Sequence, residues 1–175
     1  IDLEKKLHVV FKRDQTKFEE VRAALRQKLG VIEAPVDDGW AVWLRLREAL
    51  QRDEVVMLQA DRVMPGQKGL RLPFLHGHLL VPTAPVKLAL ASGAPIVPIF
   101  ALRTPEGRIR IHVEPAIWAE PSDATPHPAL VKLAGVLEKY VREYPEQWLL
   151  FHSAFFHVEE DDGRTERVQL SGVRE

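Results

Sequence analysis

Cysteine is absent from the 175-residue chain, and its absence removes several chemistries at once. Without a thiol there is no disulfide, no nucleophilic cysteine and no cysteine-ligated zinc. The sequence also lacks an apolar run of about 18 residues, the length that a membrane-spanning helix needs. Its formal net charge is −1, so no overall positive field attracts nucleic acid. We therefore expect a globular α/β protein without a nucleic-acid partner and without a resident metal.

Several catalytic patterns are missing as well. The sequence contains no Walker phosphate-binding pattern and no G-x-S-x-G nucleophile elbow. His76 and His78 have a spacing that suits a metal, but the spacing places no third ligand beside them. His8 and His152 lie in apolar segments, which favours packing over chemistry. The histidines thus predict neither a metal centre nor a catalytic triad.

The tryptophans also argue against a nucleic-acid platform. They do not form a stripe with basic residues, as a surface that stacks single-stranded bases would. Trp40 and Trp43 flank the start of a helical pattern. They are compatible either with core packing or with an anchor at a membrane interface.

Short apolar runs of strand length alternate with helical patterns along the chain. The runs are Leu7–Phe11, Val31–Ala34, Val55–Ala60 and Pro95–Leu102. This alternation predicts an α/β fold with a mostly parallel sheet that is covered on both faces. It also predicts one antiparallel hairpin, which begins with the last run, Pro95–Leu102. The nearly continuous apolar character of Val55–Ala60 and Pro95–Leu102 predicts that they are neighbouring core strands.

The helical patterns are equally regular. Phe18, Val21, Leu25 and Leu29 recur at helical spacing and predict a helix that ends at Gly30. Further helices are expected over Ala41–Arg52, with Val42 and Leu46 on its apolar face, from Thr83 to a stop at Gly93, and over Leu130–Tyr144. A turn at Pro105–Gly107 leads into Arg108–Glu114, whose alternation places Ile109, Ile111 and Val113 on one face. The domain is expected to span residues 1–158, and residues 159–175 form a charged tail.

Charged residues follow the two most apolar runs. Asp61 and Arg62 end the first run, and Arg103 ends the second. Because parallel strands share an edge at their carboxyl ends, we expect these side chains to line one cleft, with Lys68 at its rim. An ion pair that merely ends the strand is the alternative for Asp61 and Arg62. A flexible surface turn is the alternative for the loop Pro65–Gly69, whose amides and Lys68 otherwise suit an anion.

Five blocks of the sequence together resemble a known family. The blocks are Glu54–Arg62, Gly69–Phe74, Pro82–Pro85, Ala89–Pro98 with Arg103 after it, and Tyr144–Trp148. Their order and spacing resemble the bacterial lipid A biosynthesis acyltransferases of the lauroyl/myristoyl type, within the lysophospholipid/glycerolipid acyltransferase superfamily. The resemblance extends from Leu7 to Phe156.

The resemblance implies a glycerolipid-acyltransferase-like fold and an O-acyltransferase activity. It implies transfer of a fatty acyl chain from an acyl carrier protein or coenzyme A thioester to a hydroxyl of a lipid or saccharolipid acceptor, without a bound cofactor. It places the protein on the cytoplasmic face of the inner membrane, as a peripheral protein. Asp61 is then the catalytic-site carboxylate, and Arg13, Arg62, Lys68 and Arg103 are substrate-binding cations. The alternative is a non-catalytic module that binds an acyl carrier, a lipid or another protein.

One element of the family is missing at its expected place. The family's base is the histidine of an H-x-x-x-x-D/E motif before the segment that matches Leu7–Phe11, and no histidine precedes that segment here. Asp61 is a poor substitute, because an ordinary aspartate has a pKa of about 3.9. We therefore expect a domain that is incomplete at its N-terminus and a chain that is inactive alone. An uncovered surface near Leu7–Phe11 or Val55–Ala60 is then expected, together with self-association or binding of the missing part as another chain.

Overall fold

The computed structural model describes residues 5–13, 17–63, 67–149 and 155–156. Its strands are β1 (Leu7–Phe11), β2 (Ile32–Pro35), β3 (Val55–Met57), β4 (Gly69–Phe74), β5 (Gly77–Pro82), β6 (Ile99–Arg103), β7 (Ile109–Val113) and β8 (Phe155–Phe156). Its helices are α1 (Lys17–Lys28), α2 (Ala41–Gln51), α3 (Ala84–Ser92) and α4 (Pro128–Glu143), with short 3₁₀ turns at Val36–Asp38 and Pro145–Gln147. The expected charged tail, residues 159–175, and His152 lie outside the described residues. In the described part of the chain, no helix is long and apolar enough to cross a membrane.

The strands form three sheets rather than one. The first is parallel, with the order β2-β1-β3. The second is antiparallel, with the order β4-β5-β8, and the third is the antiparallel hairpin β6-β7. The predicted mixed α/β class is confirmed. The prediction of one mostly parallel sheet with a single hairpin is wrong, since the described strands include more antiparallel than parallel pairings.

The two strands expected to be neighbours lie in different sheets. β3 covers only the start of the predicted run Val55–Ala60 and pairs with β1. Its Met57 is 51% exposed, so the strand is not covered on both faces. β6 begins directly after Pro98, because a proline has no N–H to donate to a ladder, and it pairs with β7. The predicted adjacency of Val55–Ala60 and Pro95–Leu102 is therefore wrong.

The β4-β5 hairpin was not predicted, although its pattern is present in the sequence. Leu72 and Phe74 alternate with polar or ring-constrained residues along β4 and are buried. Leu72 pairs with Leu79 across the hairpin, and both side chains point into the core. The turn between the strands places Leu75 at φ 53°, a conformation that a leucine rarely adopts. The first position of that turn is Leu75 rather than a glycine or an asparagine. Typical turn residues in the sequence therefore do not predict it.

Helix α3 lies between two hydrophobic clusters. One cluster joins α4 to the β4-β5 hairpin and includes Val86 of α3. The other joins α2 to the parallel sheet and includes Leu88 of α3. Two positions that are two residues apart point to opposite sides of a helix, so α3 is apolar on both sides. It begins after Thr83 and ends at Gly93, whose φ of 77° provides the left-handed C-cap.

Helix α1 leaves its apolar stripe in solvent. The predicted helix is present, and its Val21, Leu25 and Leu29 are each more than half exposed. Arg26 makes the tertiary contact instead: it pairs with Glu19 and Glu33, and its guanidinium lies 4.0 Å from the Phe11 ring centroid. The salt bridges and the cation–π contact of Arg26 therefore hold one face of α1 toward the sheet.

The hairpin β6-β7 also has an exposed apolar face. Its members are Ile99, Ile109, Ile111 and Val113, each more than half exposed. The opposite face is held by α4, where Phe100 stacks on Tyr140 with the ring centroids 3.7 Å apart. The sequence correctly placed the isoleucines of β7 on one face. That face, however, is exposed, and the prediction of uncovered surface named Leu7–Phe11 and Val55–Ala60 rather than this hairpin.

Candidate active site

A groove of about 600 Å³ lies between α2, α3 and the residues before β4. Its apolar walls come mainly from Trp43 and Leu44 of α2 and from Leu88 and Ala91 of α3. α2 and α3 are held together at this place by Arg47, whose Nε donates a hydrogen bond of 2.8 Å to the carbonyl of Ala91. The groove is therefore a product of helix packing and not of one local motif.

The charged residues of the groove are mainly cations. Lys12, Arg47, Lys68 and Lys87 line it, against one carboxylate, Asp37. Within the described residues, neither Lys68 nor Lys87 forms a salt bridge with a carboxylate. Their charges are thus not neutralised by a described carboxylate, so the groove favours an anion.

Arg13 is engaged beside the groove. Its Nη1 lies 2.5 Å from Oδ1 of Asp38, and its backbone N–H donates a 2.8 Å hydrogen bond to Asp37. The hydrogen bond from Arg13 holds the pKa of Asp38 below its usual value. Arg13 does not line the groove, whereas the preceding residue, Lys12, does. The contacts of Arg13 fix the segment after β1 to the 3₁₀ turn at Val36–Asp38.

Asp61 and Arg62 form a half-buried pair after β3. Asp61 Oδ2 accepts hydrogen bonds from Arg62 Nη2 at 2.7 Å and from Nε at 3.1 Å. The next residue, Val63, lies close to Gly69, where an added Cβ would come within 2.6 Å of Val63 Cγ2. Gly69 thus lets the start of β4 approach this segment, and the carboxylate of Asp61 orients the guanidinium of Arg62.

Arg103 is fixed by a residue distant in sequence. Its backbone N–H donates to Gln147 Oε1 at 2.7 Å, and its carbonyl accepts from Gln147 Nε2 at 3.0 Å. Because β6 and β3 belong to different sheets, the expectation that Asp61, Arg62 and Arg103 meet at one shared edge has lost its basis. Of the predicted substrate-binding residues, Lys68 lines the groove, and Arg13, Arg62 and Arg103 do not. The predicted catalytic residue Asp61 does not line it either.

A buried histidine–carboxylate pair lies elsewhere, at the amino ends of β1 and β3. His8 Nε2 is 2.7 Å from Glu54 Oε2, and His8 is buried, as expected for a packed residue. Hydrogen bonds from Arg52 and from His8 lower the pKa of Glu54 to about 2. Neither His8 nor Glu54 lines the groove. We interpret the pair as a structural link between the two parallel strands.

The residues that sequence reasoning missed are Arg47, Lys87 and the apolar groove wall of α2. Leu44 and Arg47 lie one helical turn apart, on the side of α2 that does not carry Val42 and Leu46. Their spacing is visible in the sequence, but it resembles the solvent face of any amphipathic helix. The packing of α3 against α2 turns this face into one wall of the groove.

Apolar walls beside a surplus of cations suit an anionic amphiphile, such as a coenzyme A thioester or a phosphorylated lipid. The comparison with protein families concerns the whole chain rather than this groove. The family model of bacterial lipid A biosynthesis acyltransferases matches residues 3–156, so the chain belongs to this family. The resemblance noted in the sequence is confirmed, and the chain is an acyltransferase by family. A comparison with individually curated proteins finds no match.

The spacing of the family's catalytic motif occurs once in the sequence, at a different place. His157 and Asp162 have the H-x-x-x-x-D spacing, but they follow the matched residues and lie outside the described ranges. The resemblance places the motif before β1, where this sequence has no histidine. His157 is therefore a histidine to test rather than an assigned base.

Proposed function

We propose that the chain takes part in O-acylation of a lipid or saccharolipid, with acyl carrier protein or coenzyme A as the carrier of the acyl donor. The observation that carries this proposal is the groove between α2 and α3. Its volume of about 600 Å³ falls within the range of about 300–1,000 Å³ that is usual for ligand sites. Its walls suit an acyl chain and its cations suit phosphate.

The two parts of the groove have separate roles in this proposal. Trp43, Leu44 and Leu88 surround the acyl chain, whose burial provides non-directional affinity. Lys68 and Lys87 bind the phosphate of the carrier or of the acceptor as point charges. Such contacts hold the reacting groups near each other, which lowers the entropy cost of the bimolecular step.

The chemistry requires a proton acceptor as well as positioning. The acceptor hydroxyl oxygen attacks the thioester carbonyl, the carbon–sulfur bond breaks, and the carrier leaves as a thiolate that takes up a proton to become a thiol. A base removes the hydroxyl proton, and positive groups stabilise the oxyanion that forms. In our proposal Asp61 orients Arg62 toward a substrate anion, and Arg13 and Arg103 are the further cations with this role.

The proposed donors and acceptor also suggest where the chain works. Carrier thioesters are cytoplasmic and a lipid acceptor is held in a bilayer, so we place the chain at the cytoplasmic face of the inner membrane. Peripheral contact with the membrane is therefore part of the proposal.

Binding of lauroyl-CoA to the purified 175-residue chain tests the groove. Isothermal titration below the critical micelle concentration is expected to show binding that Lys87→Gln weakens about fivefold, the effect of losing about 1 kcal/mol. Lys132→Gln is the matched control, because Lys132 is an exposed helix lysine that does not line the groove. No binding by the unmodified chain, or equal weakening by both variants, contradicts the proposal.

A non-catalytic module that binds an acyl carrier, lipid or protein is the second candidate, and it is favoured because no histidine is among the described residues that line the groove. Turnover of a labelled acyl thioester by the purified chain separates the two candidates. We expect binding without turnover from this chain alone. Turnover well above background overturns that expectation, and His8→Ala and His157→Ala then identify the base.

A further inference from the structure

Exposed apolar residues form a rim beside the groove. Their chemical character indicates the kind of partner that this rim would bind. Trp40, at the start of α2, lines the groove and is 73% exposed. Leu44 follows one turn later and is 36% exposed. On the other side, Leu90 of α3 is 40% exposed and lies one turn after Lys87. We call these four residues the docking rim.

We propose that the docking rim binds the surface of an anionic lipid bilayer, so that the groove opens toward the membrane. The inference deepens the proposed function and rests on it only where the groove is taken as the substrate site. Binding to the bilayer itself needs no substrate.

The composition of the rim supports a bilayer over other partners. An exposed tryptophan beside leucines is the arrangement that places an indole among lipid headgroups with the leucines at the acyl boundary. The neighbouring cations Arg47, Lys68 and Lys87 outnumber the single carboxylate of the groove, which complements anionic headgroups. A protein partner with an apolar surface would not use this excess of positive charge.

The arrangement also has a geometric consequence for the substrate. A lipid acceptor carries its reactive headgroup at the membrane surface, where a groove with a docked rim receives it without extraction of the whole molecule. An acyl chain that enters the same groove stays in contact with apolar surface throughout. The rim thus connects the membrane to the substrate site.

Sedimentation of the 175-residue chain with vesicles tests this proposal. Vesicles of phosphatidylcholine with phosphatidylglycerol should bind the chain, and phosphatidylcholine alone should bind it more weakly. Leu90→Glu should weaken binding at least about tenfold, and Lys87→Gln about fivefold. Val131→Glu is the matched control, since Val131 is 49% exposed on α4 and distant in sequence from the rim. Weakening by Val131→Glu as large as that by Leu90→Glu overturns the docking rim.

A second measurement follows the tryptophan itself. Brominated lipid in the vesicles should quench the fluorescence of Trp40, so Trp40→Phe should remove the quenched component. Trp118→Phe should leave it, because Trp118 is similarly exposed, at 62%, but lies outside the rim. The reverse result overturns the proposal, as does loss of vesicle binding on Ile111→Glu in place of Leu90→Glu, which would assign docking to the β6-β7 face.

Two further experiments follow. The first distinguishes binding to a membrane surface from binding to a single lipid site, and the second tests the docking rim separately from the proposed function. Short-chain phosphatidylglycerol, kept monomeric, should bind far more weakly than vesicles, and equal affinity overturns surface docking. Leu90 does not line the groove, so Leu90→Glu should still bind soluble lauroyl-CoA as the unmodified chain does. Failure of lauroyl-CoA binding with intact vesicle binding rejects the proposed substrate site and leaves the docking rim standing.

Discussion

Replacing Leu46 by alanine tests the cluster that supports the groove from behind. Leu46 is 1% exposed and packs with Ala34, Val42 and Leu88, so it joins α2 to the parallel sheet and to α3. The substitution deletes three carbon groups, which at about 0.8 kcal/mol each gives about 2.4 kcal/mol for transfer alone. A cavity left by incomplete collapse adds to this, since buried leucine-to-alanine changes cost about 2–5 kcal/mol. We expect a loss of about 3 kcal/mol.

The matched control is Leu44→Ala, two residues away on the same helix. Leu44 is 36% exposed and should lose about 1.5 kcal/mol or less, because part of its side chain stays in contact with water after folding and no buried cavity is left. Urea unfolding followed by circular dichroism measures both variants. With a slope of about 2 kcal/mol per M, Leu46→Ala should lower the midpoint by about 1.5 M. Equal losses for the two variants, or less than about 1 kcal/mol for Leu46→Ala, refute the assigned core. Leu44→Ala should instead weaken lauroyl-CoA binding.

Two pH profiles give the remaining predictions. Hydrogen bonds from Arg52 and His8 lower the pKa of Glu54 from 4.5 to about 2, so this carboxylate stabilises the fold above about pH 4.5, and its contribution is lost as the pH falls toward 2. Urea midpoints between pH 6 and 2 should therefore fall less steeply for Glu54→Gln, and parallel curves contradict the assignment. Burial and then the hydrogen bond to Glu114 raise the pKa of Tyr140 to about 12, so its contribution is lost as the pH rises from 10 to 12. Tyr140→Phe should flatten that alkaline decline, and an unchanged slope shows that Tyr140 does not cause it.

The local elements were predictable because each has its own signal in the sequence. β1 has the predicted bounds, Leu7–Phe11, and α2 buries the predicted face of Val42 and Leu46. The end of α3 at Gly93 and the hairpin turn at Gly107 follow from positive φ angles, which glycine adopts at low cost. Periodicity and turn chemistry act over a few residues, so they need no knowledge of the remaining fold.

Strand pairing was not predictable from the same signals. The apolar character of Val55–Ala60 and Pro95–Leu102 indicates that both runs avoid water, but it does not specify which strand each one pairs with. Pro98 shortens the second run, and β7, only a turn away, is the antiparallel partner that costs least to bring into register. In α1 a charged contact of Arg26 overrode the apolar stripe. These outcomes depend on tertiary geometry that periodicity does not contain.

The candidate site was predictable only in part, for a related reason. Lys68 was found because its loop has a composition that suits anions, and it does line the groove. Lys87 and Arg47 were missed because a cation on the solvent face of a helix usually means solubility. They become binding residues only when α2 and α3 pack side by side, a contact between residues more than 35 positions apart in sequence.

The segment Pro145–Gln147 shows how a short motif can act through structure rather than chemistry. Gln147 offers one acceptor and one donor to the backbone of Arg103, as a neighbouring strand would, and so continues the ladder of β6 with a side chain. The 3₁₀ turn that presents Gln147 follows α4 directly, and α4 holds the same hairpin through the stacking of Tyr140 on Phe100. Two independent contacts, one from the last turns of α4 and one from the 3₁₀ turn after it, therefore fix β6. Gln147 thus fixes the backbone from which the Arg103 side chain extends.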